Sequence, residues 1–142
     1  MQIDEMSAIV VDEAIGIHRE FGPGLFESVY ESVLAGRLQS KGLTIDRQVA
    51  IQAVFDGQHF DAAFKIDLLV EGTLILEIKA VDQLTKAHAK QLLTYLRLAE
   101  LPLGLVINFG MPKLMDGVKR VVNDLPPSQS PQLRVNQPPP RQ

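Results

Sequence analysis

The chain has no cysteine, no tryptophan, only three histidines and no excess of basic residues. Without cysteine there can be no disulfide, thiolate zinc site, iron–sulfur cluster or cysteine nucleophile. His18, His59 and His88 do not fall into an HExxH zinc-binding pattern. Fourteen Lys and Arg against 17 Asp and Glu leave a net charge of −3. That argues against gripping nucleic acid with a general basic surface, because such binding scales with the phosphates neutralised. A local site, or one assisted by a cation, remains open. No apolar run reaches the roughly 18–20 residues that a membrane span needs. The opening Met1-Gln2-Ile3-Asp4-Glu5 is acidic where a secretory leader is basic. A soluble, cytoplasmic protein with no membrane partner is expected. What is present in quantity is apolar: 46% of 142 residues, enough to build the core of one domain.

Composition changes after Leu125. Residues 126–142 hold six of the nine prolines and no acid. Such a segment buries too little to offset its ordering entropy, so a disordered Pro-rich tail is expected there, able to offer a PxxP-like element to a protein partner. In residues 1–125 the hydrophobic period switches along the chain. Val10, Ala14, Ile17 and Phe21 give a first helix over about 5–20, stopped by Gly22-Pro23-Gly24. A second helix runs from Leu25 to about Ser40 with Phe26, Val29 and Val33 on one side. Alternation over about 45–54, 58–70 and 73–80 gives three strands, with Asp56-Gly57 as the first turn. Leu92, Leu93, Leu96 and Ala99 mark a third helix, and Leu103–Phe109 a buried strand. Val118–Val122, after Asp116-Gly117, reads as a last short strand or a helical turn, with the strand preferred. The fold class is therefore α/β, with one mixed sheet of four to five strands flanked by helices, the third helix crossing over to make the fourth strand parallel to the third.

Strands two and three carry the charge that matters. Phe64, Ile66, Leu68 and Val70 are expected on one face, as are Leu74, Leu76 and Ile78. Bringing both apolar sets to one side of the sheet requires paired residue numbers with an even sum, and Glu71-Gly72-Thr73 is the tightest loop that allows it. Ile66 then opposes Ile78, Leu68 opposes Leu76, and Asp67 opposes Glu77, with Lys79 beside them. Opposed carboxylates destabilise a sheet and raise at least one pKa. A divalent cation removes the conflict, and oxygen-only ligands favour Mg²⁺ or Mn²⁺. The same residues also fit an ordinary solvated strand face, with Lys79 balancing the acids.

Asp67, nine intervening residues, then Glu77-Ile78-Lys79 on adjacent strands resembles the D…(D/E)xK core of the PD-(D/E)xK nuclease superfamily. Gln91-Leu92-Leu93-Thr94-Tyr95 resembles the QxxxY element of its RecB-like members, and Gly24-Leu25-Phe26-Glu27-Ser28-Val29-Tyr30 matches the GxxExxY pattern of a small bacterial family placed within it. The dipeptide's proline is missing, since Ile66 precedes Asp67. The resemblance spans about residues 5–123 and implies a restriction-endonuclease-like αβββαβ core. It implies a Mg²⁺- or Mn²⁺-dependent nuclease hydrolysing phosphodiester bonds, foremost in DNA. Asp67, Glu77 and the Ile78 carbonyl would hold the metal, with Glu27 completing the acidic cluster. Lys79 would orient the attacking water, Gln91 would steady Lys79 or a phosphate oxygen, and Tyr95 would support Gln91. The competing class is a non-catalytic nuclease-fold module that binds nucleic acid or protein. A homodimer is compatible with so small a fold, though nothing in the chain requires one.

Overall fold

The computed structural model describes residues 1–124 and 135–136. Its elements run α1 (Ile3–Phe21), α2 (Glu27–Ser40), β1 (Ile45–Phe55), β2 (Gln58–Val70), β3 (Leu74–Lys79), α3 (Lys86–Ala99), β4 (Leu103–Asn108), a 3-10 turn (Leu114–Gly117), β5 (Val118–Val122) and β6 (Val135–Asn136). The strands form one mixed sheet in the order β5-β4-β3-β2-β1-β6. Among the described strands, only β3 and β4 are parallel neighbours, joined through α3 as the crossover pattern predicts. The remainder of the Pro-rich segment, and the disorder expected of it, lies outside the described residues. Val135 and Asn136 pair with Ile51 and Ala50. Among the described residues no helix is long and apolar enough to cross a membrane.

Each face of the sheet carries its own core. On one face α1 supplies Val10, Ala14 and Ile17, and α2 supplies Tyr30, Leu34 and Leu38, against Leu68, Leu76, Ile78 and Leu105. On the other, Leu92, Tyr95 and Leu96 of α3 pack on Ile66, Leu69, Ile75 and Val106. α3 lies so close to β4 that a Cβ at Gly104 would sit 2.9 Å from the Leu92 methyls. The buried stripe of α2 is not the one expected, because Phe26 and Val29 are exposed. Tyr30 turns the helix: its ring stacks on Phe109 with centroids 4.4 Å apart. Its hydroxyl donates to the Gly22 carbonyl and accepts the Leu25 N–H. One side chain thereby fastens the Gly22–Gly24 turn to the core.

The β2–β3 ladder pairs Val70 with Leu74, Leu69 with Ile75 and Leu68 with Leu76, the register expected from the alternation. Glu71 and Gly72 both adopt positive φ, 52° and 67°, and the Thr73 N–H donates to the Val70 carbonyl at 3.0 Å. The ladder then stops, so Ile66–Ile78 and Asp67–Glu77 are not ladder pairs as expected. Nor do Phe64, Ile66, Leu68 and Val70 share a face: Leu68 and Val70 join the α1/α2 core, Phe64 and Ile66 the α3 core. The switch sits between the β1–β2 pairs Arg47–Leu68 and Val49–Ile66. There Gln48 takes φ 50°, which interrupts the two-residue period of β1, and β2 changes face at the same step.

Candidate active site

Asp67 and Glu77 stand where the strands part, and their carboxylates replace the missing ladder. Glu77 Oε2 accepts the Asp67 N–H at 3.1 Å, and Asp67 Oδ2 accepts the Ile78 N–H at 2.8 Å. Each acid thus satisfies a backbone donor of the other's strand. Glu77 is only 5% exposed. Burial, followed by the charge of Asp67, pushes its carboxyl up to about 8. Burial likewise raises Asp67, with Glu31 adding to the rise while the Ile78 N–H and Lys79 oppose it. The conflict inferred from the sequence is therefore built into the fold. Lys79 is half-buried and has no ion-pair partner among the described residues, leaving its ammonium to act on both acids.

Neither Glu27 nor Gln91 is hydrogen-bonded to this pair. Glu27, in the first turn of α2, is exposed and its Oε2 accepts the Ala80 N–H at 3.3 Å, one residue beyond Lys79. Gln91 is exposed on α3, and its side chain hydrogen-bonds no described residue. Tyr95, one turn later, is buried against Phe64 with ring centroids 4.8 Å apart. Burial and then the charges of Glu77 and Asp67 raise its phenol to about 12. His88, outside the expected site, accepts the Thr85 N–H on Nδ1 at 2.9 Å and caps α3.

Three residues that the motifs did not single out support the centre. Glu31 is 7% exposed, bonded to Arg47 at 3.1 Å and to Gln48 Nε2 at 2.9 Å. The same Gln48 amide reaches Asp67 Oδ1 at 3.4 Å. Gln48 at the face switch therefore links an acid from the α1/α2 side to the pair. One signal was available for Glu31: it lies four residues after Glu27, hence on the same side of a helix. Asn108, fully buried, accepts the N–H groups of Val81 and Gly110 and donates to the Val81 carbonyl. It pins the chain leaving β3 just past Lys79.

Among the described residues no three His, Cys, Asp or Glu side chains converge as a ligand set. The two that do converge suit a hard cation nonetheless. Mg²⁺ keeps several waters and is commonly held by one or two carboxylates plus substrate oxygens. The donor set is all oxygen, and the two acids face each other without a full countercharge. Mg²⁺ or Mn²⁺ fits that chemistry better than zinc does.

The family model described as the PD-(D/E)XK nuclease superfamily matches residues 4–121. No curated protein and no solved structure gives a significant match.

Proposed function

The chain belongs to the PD-(D/E)XK nuclease superfamily, and from that premise we propose that it is a metal-dependent nuclease hydrolysing phosphodiester bonds, foremost in DNA. One observation carries the reading. Asp67 and Glu77 hold each other by reciprocal carboxylate-to-backbone bonds, both with their pKa raised, next to Lys79, which has no ion-pair partner among the described residues. A fold that served stability alone would not keep two carboxylates in that conflict. The match to GxxExxY at Gly24, Glu27 and Tyr30 is consistent with a place in that smaller family.

The residues divide the work as follows. Asp67, Glu77 and the Ile78 carbonyl would hold Mg²⁺ or Mn²⁺, which when bound supplies Lewis-acid withdrawal of charge from the phosphate and acidifies a water. Lys79 donates hydrogen bonds to that water or to a non-bridging phosphate oxygen, where negative charge grows in the transition state. In the displacement, water oxygen bonds to phosphorus as the opposite P–O bond breaks. The departing oxygen takes up a proton. Tyr95 stays protonated at any working pH, so it serves as a hydrogen-bond donor rather than a base. Gln91, exposed one turn earlier, is free to meet a phosphate oxygen of bound substrate. Glu27 braces the main chain after Lys79.

The test is cleavage of single-stranded, duplex and branched DNA, and of RNA, with Mg²⁺ or Mn²⁺. Activity that persists in EDTA and in Glu77→Ala refutes the assignment. The convergence of only two acids among the described residues favours one second reading, a module that binds without cutting. It predicts Mg²⁺-dependent retention of an oligonucleotide with no product under any condition.

A further inference from the structure

Four basic residues are neutralised by ion pairs: Arg37 by Glu20, Lys41 by Glu13, Arg47 by Glu31 and Arg120 by Asp4. Lys86, Lys90 and Lys119 belong to the larger number of described basic residues that are not. They are exposed and form no ion pair among the described residues. Yet two distant segments bring them around one hollow of about 410 Å³, floored by Leu84 and Val106.

The sheet register relates this hollow to the acids. Glu77 pairs with Val106 across β3–β4, and Val106 pairs with Lys119 across β4–β5. Side chains in one such row point to one face, and Val106 fixes that face as the α3 side. Two strand spacings separate Glu77 from Lys119, about 10 Å between their backbones. Above them, Lys86 and Lys90 lie one turn apart at the start of α3, a helix with no acidic residue. The N-terminal end of the α3 dipole adds positive potential there. An acidic protein thus gathers three uncompensated lysines beside its acidic pair, on the same face.

We propose that Lys86, Lys90 and Lys119 bind successive phosphates of the nucleic-acid strand next to the scissile bond. The inference rests on the nuclease reading of the acidic centre. A repeating anion is what spaced, single-charge donors match. Lysine ammonium groups neutralise phosphates without reading bases, so the patch sets register and strand direction and not sequence. It also supplies a local site of the kind that the net charge left open. Lysine suits a hollow with an apolar floor, because its stem can cover apolar surface while its ammonium group stays in water.

The experiment measures binding of a fluorescein-labelled oligonucleotide by anisotropy, with Mg²⁺, from 50 to 200 mM salt. A Lys79→Ala parent keeps both acids and suppresses turnover. Adding Lys86→Gln, Lys90→Gln and Lys119→Gln should make log Kd against log salt shallower by about two to three units, at roughly 0.7–0.9 for each phosphate no longer neutralised. Replacing all three by Arg should retain the slope, as should Lys113→Gln beside α1. With Lys79 intact, the triple Gln variant should raise KM while kcat changes less than about twofold, the mark of uniform binding removed. Urea midpoints confirm that these exposed changes leave the fold intact. An unchanged slope and Kd overturns the patch alone, with the nuclease reading standing. A parent that binds no DNA or RNA overturns both. Loss of binding in the triple variant of a protein that never cleaves upholds the patch and removes only the catalytic reading.

Discussion

Glu77→Gln should make the metal-free protein more stable at pH 8, not less. The Glu77 carboxyl moves from the usual 4.5 to about 8 in the fold. Between those values the folded state holds a proton that the unfolded chain has released. Raising the pH through that window therefore costs stability, and above about 8 the loss is complete. At 1.36 kcal/mol per pH unit of displacement, the ceiling is about 5 kcal/mol. Asp67 is raised as well and contributes with the same sign. Glutamine keeps the shape and an oxygen to accept the Asp67 N–H, but has no charge to bury. Urea unfolding at pH 5 and pH 8.5 in EDTA should show the wild type weakening by more than about 2 kcal/mol while Glu77→Gln stays nearly level. Mg²⁺ at 100 times its Kd should return about 2.7 kcal/mol to the wild type at pH 8.5 and nothing to the variant. Parallel pH profiles for the two proteins would refute the electrostatic reasoning. A variant that loses several kcal/mol at both pH values would instead mean that the acid is a structural partner in a buried network.

Tyr30→Phe keeps the stack on Phe109 but loses the bonds to Gly22 and Leu25; it should cost about 1–2 kcal/mol by urea titration. Asn108→Leu strands the Val81 and Gly110 groups inside the protein and should cost about 3 kcal/mol or more, with protease cleavage near residue 81 as the local readout. Gln48 occupies the left-handed region at φ 50°, so Gln48→Gly should be about 1 kcal/mol more stable than Gln48→Ala, although both lose the same amide. Equal stabilities for that pair would mean that β1 relaxes out of its left-handed turn.

The β2–β3 register could be read from the chain because apolar alternation and Glu71-Gly72-Thr73 leave one tight solution, and the crossover of α3 followed from chirality and connection length. Element order was legible because each hydrophobic period is a local property of the chain. The buried side of α2 was not legible. Phe26 and Val29 are apolar enough to suggest a stripe, yet Tyr30 sets the helix rotation through Phe109, a partner 79 residues away. The face switch at Gln48 was hidden too, since a positive φ on a non-glycine residue leaves no mark in a hydrophobic pattern. Asp67, Glu77 and Lys79 were legible as a charged group on paired strands, but the end of the ladder beneath them was not. Glu31 escaped notice because a buried acid looks like a solvated one until Arg47 and Gln48 arrive from another strand.

Carboxylates aimed by main-chain N–H groups belong to the backbone more than to their neighbours. Asp67 and Glu77 are oriented by the N–H groups of Ile78 and of Asp67 itself, so substitutions among the apolar residues around them leave their direction largely untouched. The geometry is portable. A designer could write it into another sheet by ending an antiparallel ladder one pair early and placing an acid on each side of the gap. The recipe occupies the stretch from Asp67 to Lys79, a turn and two strand ends, and asks of the host scaffold only that it cover one side and leave the other open.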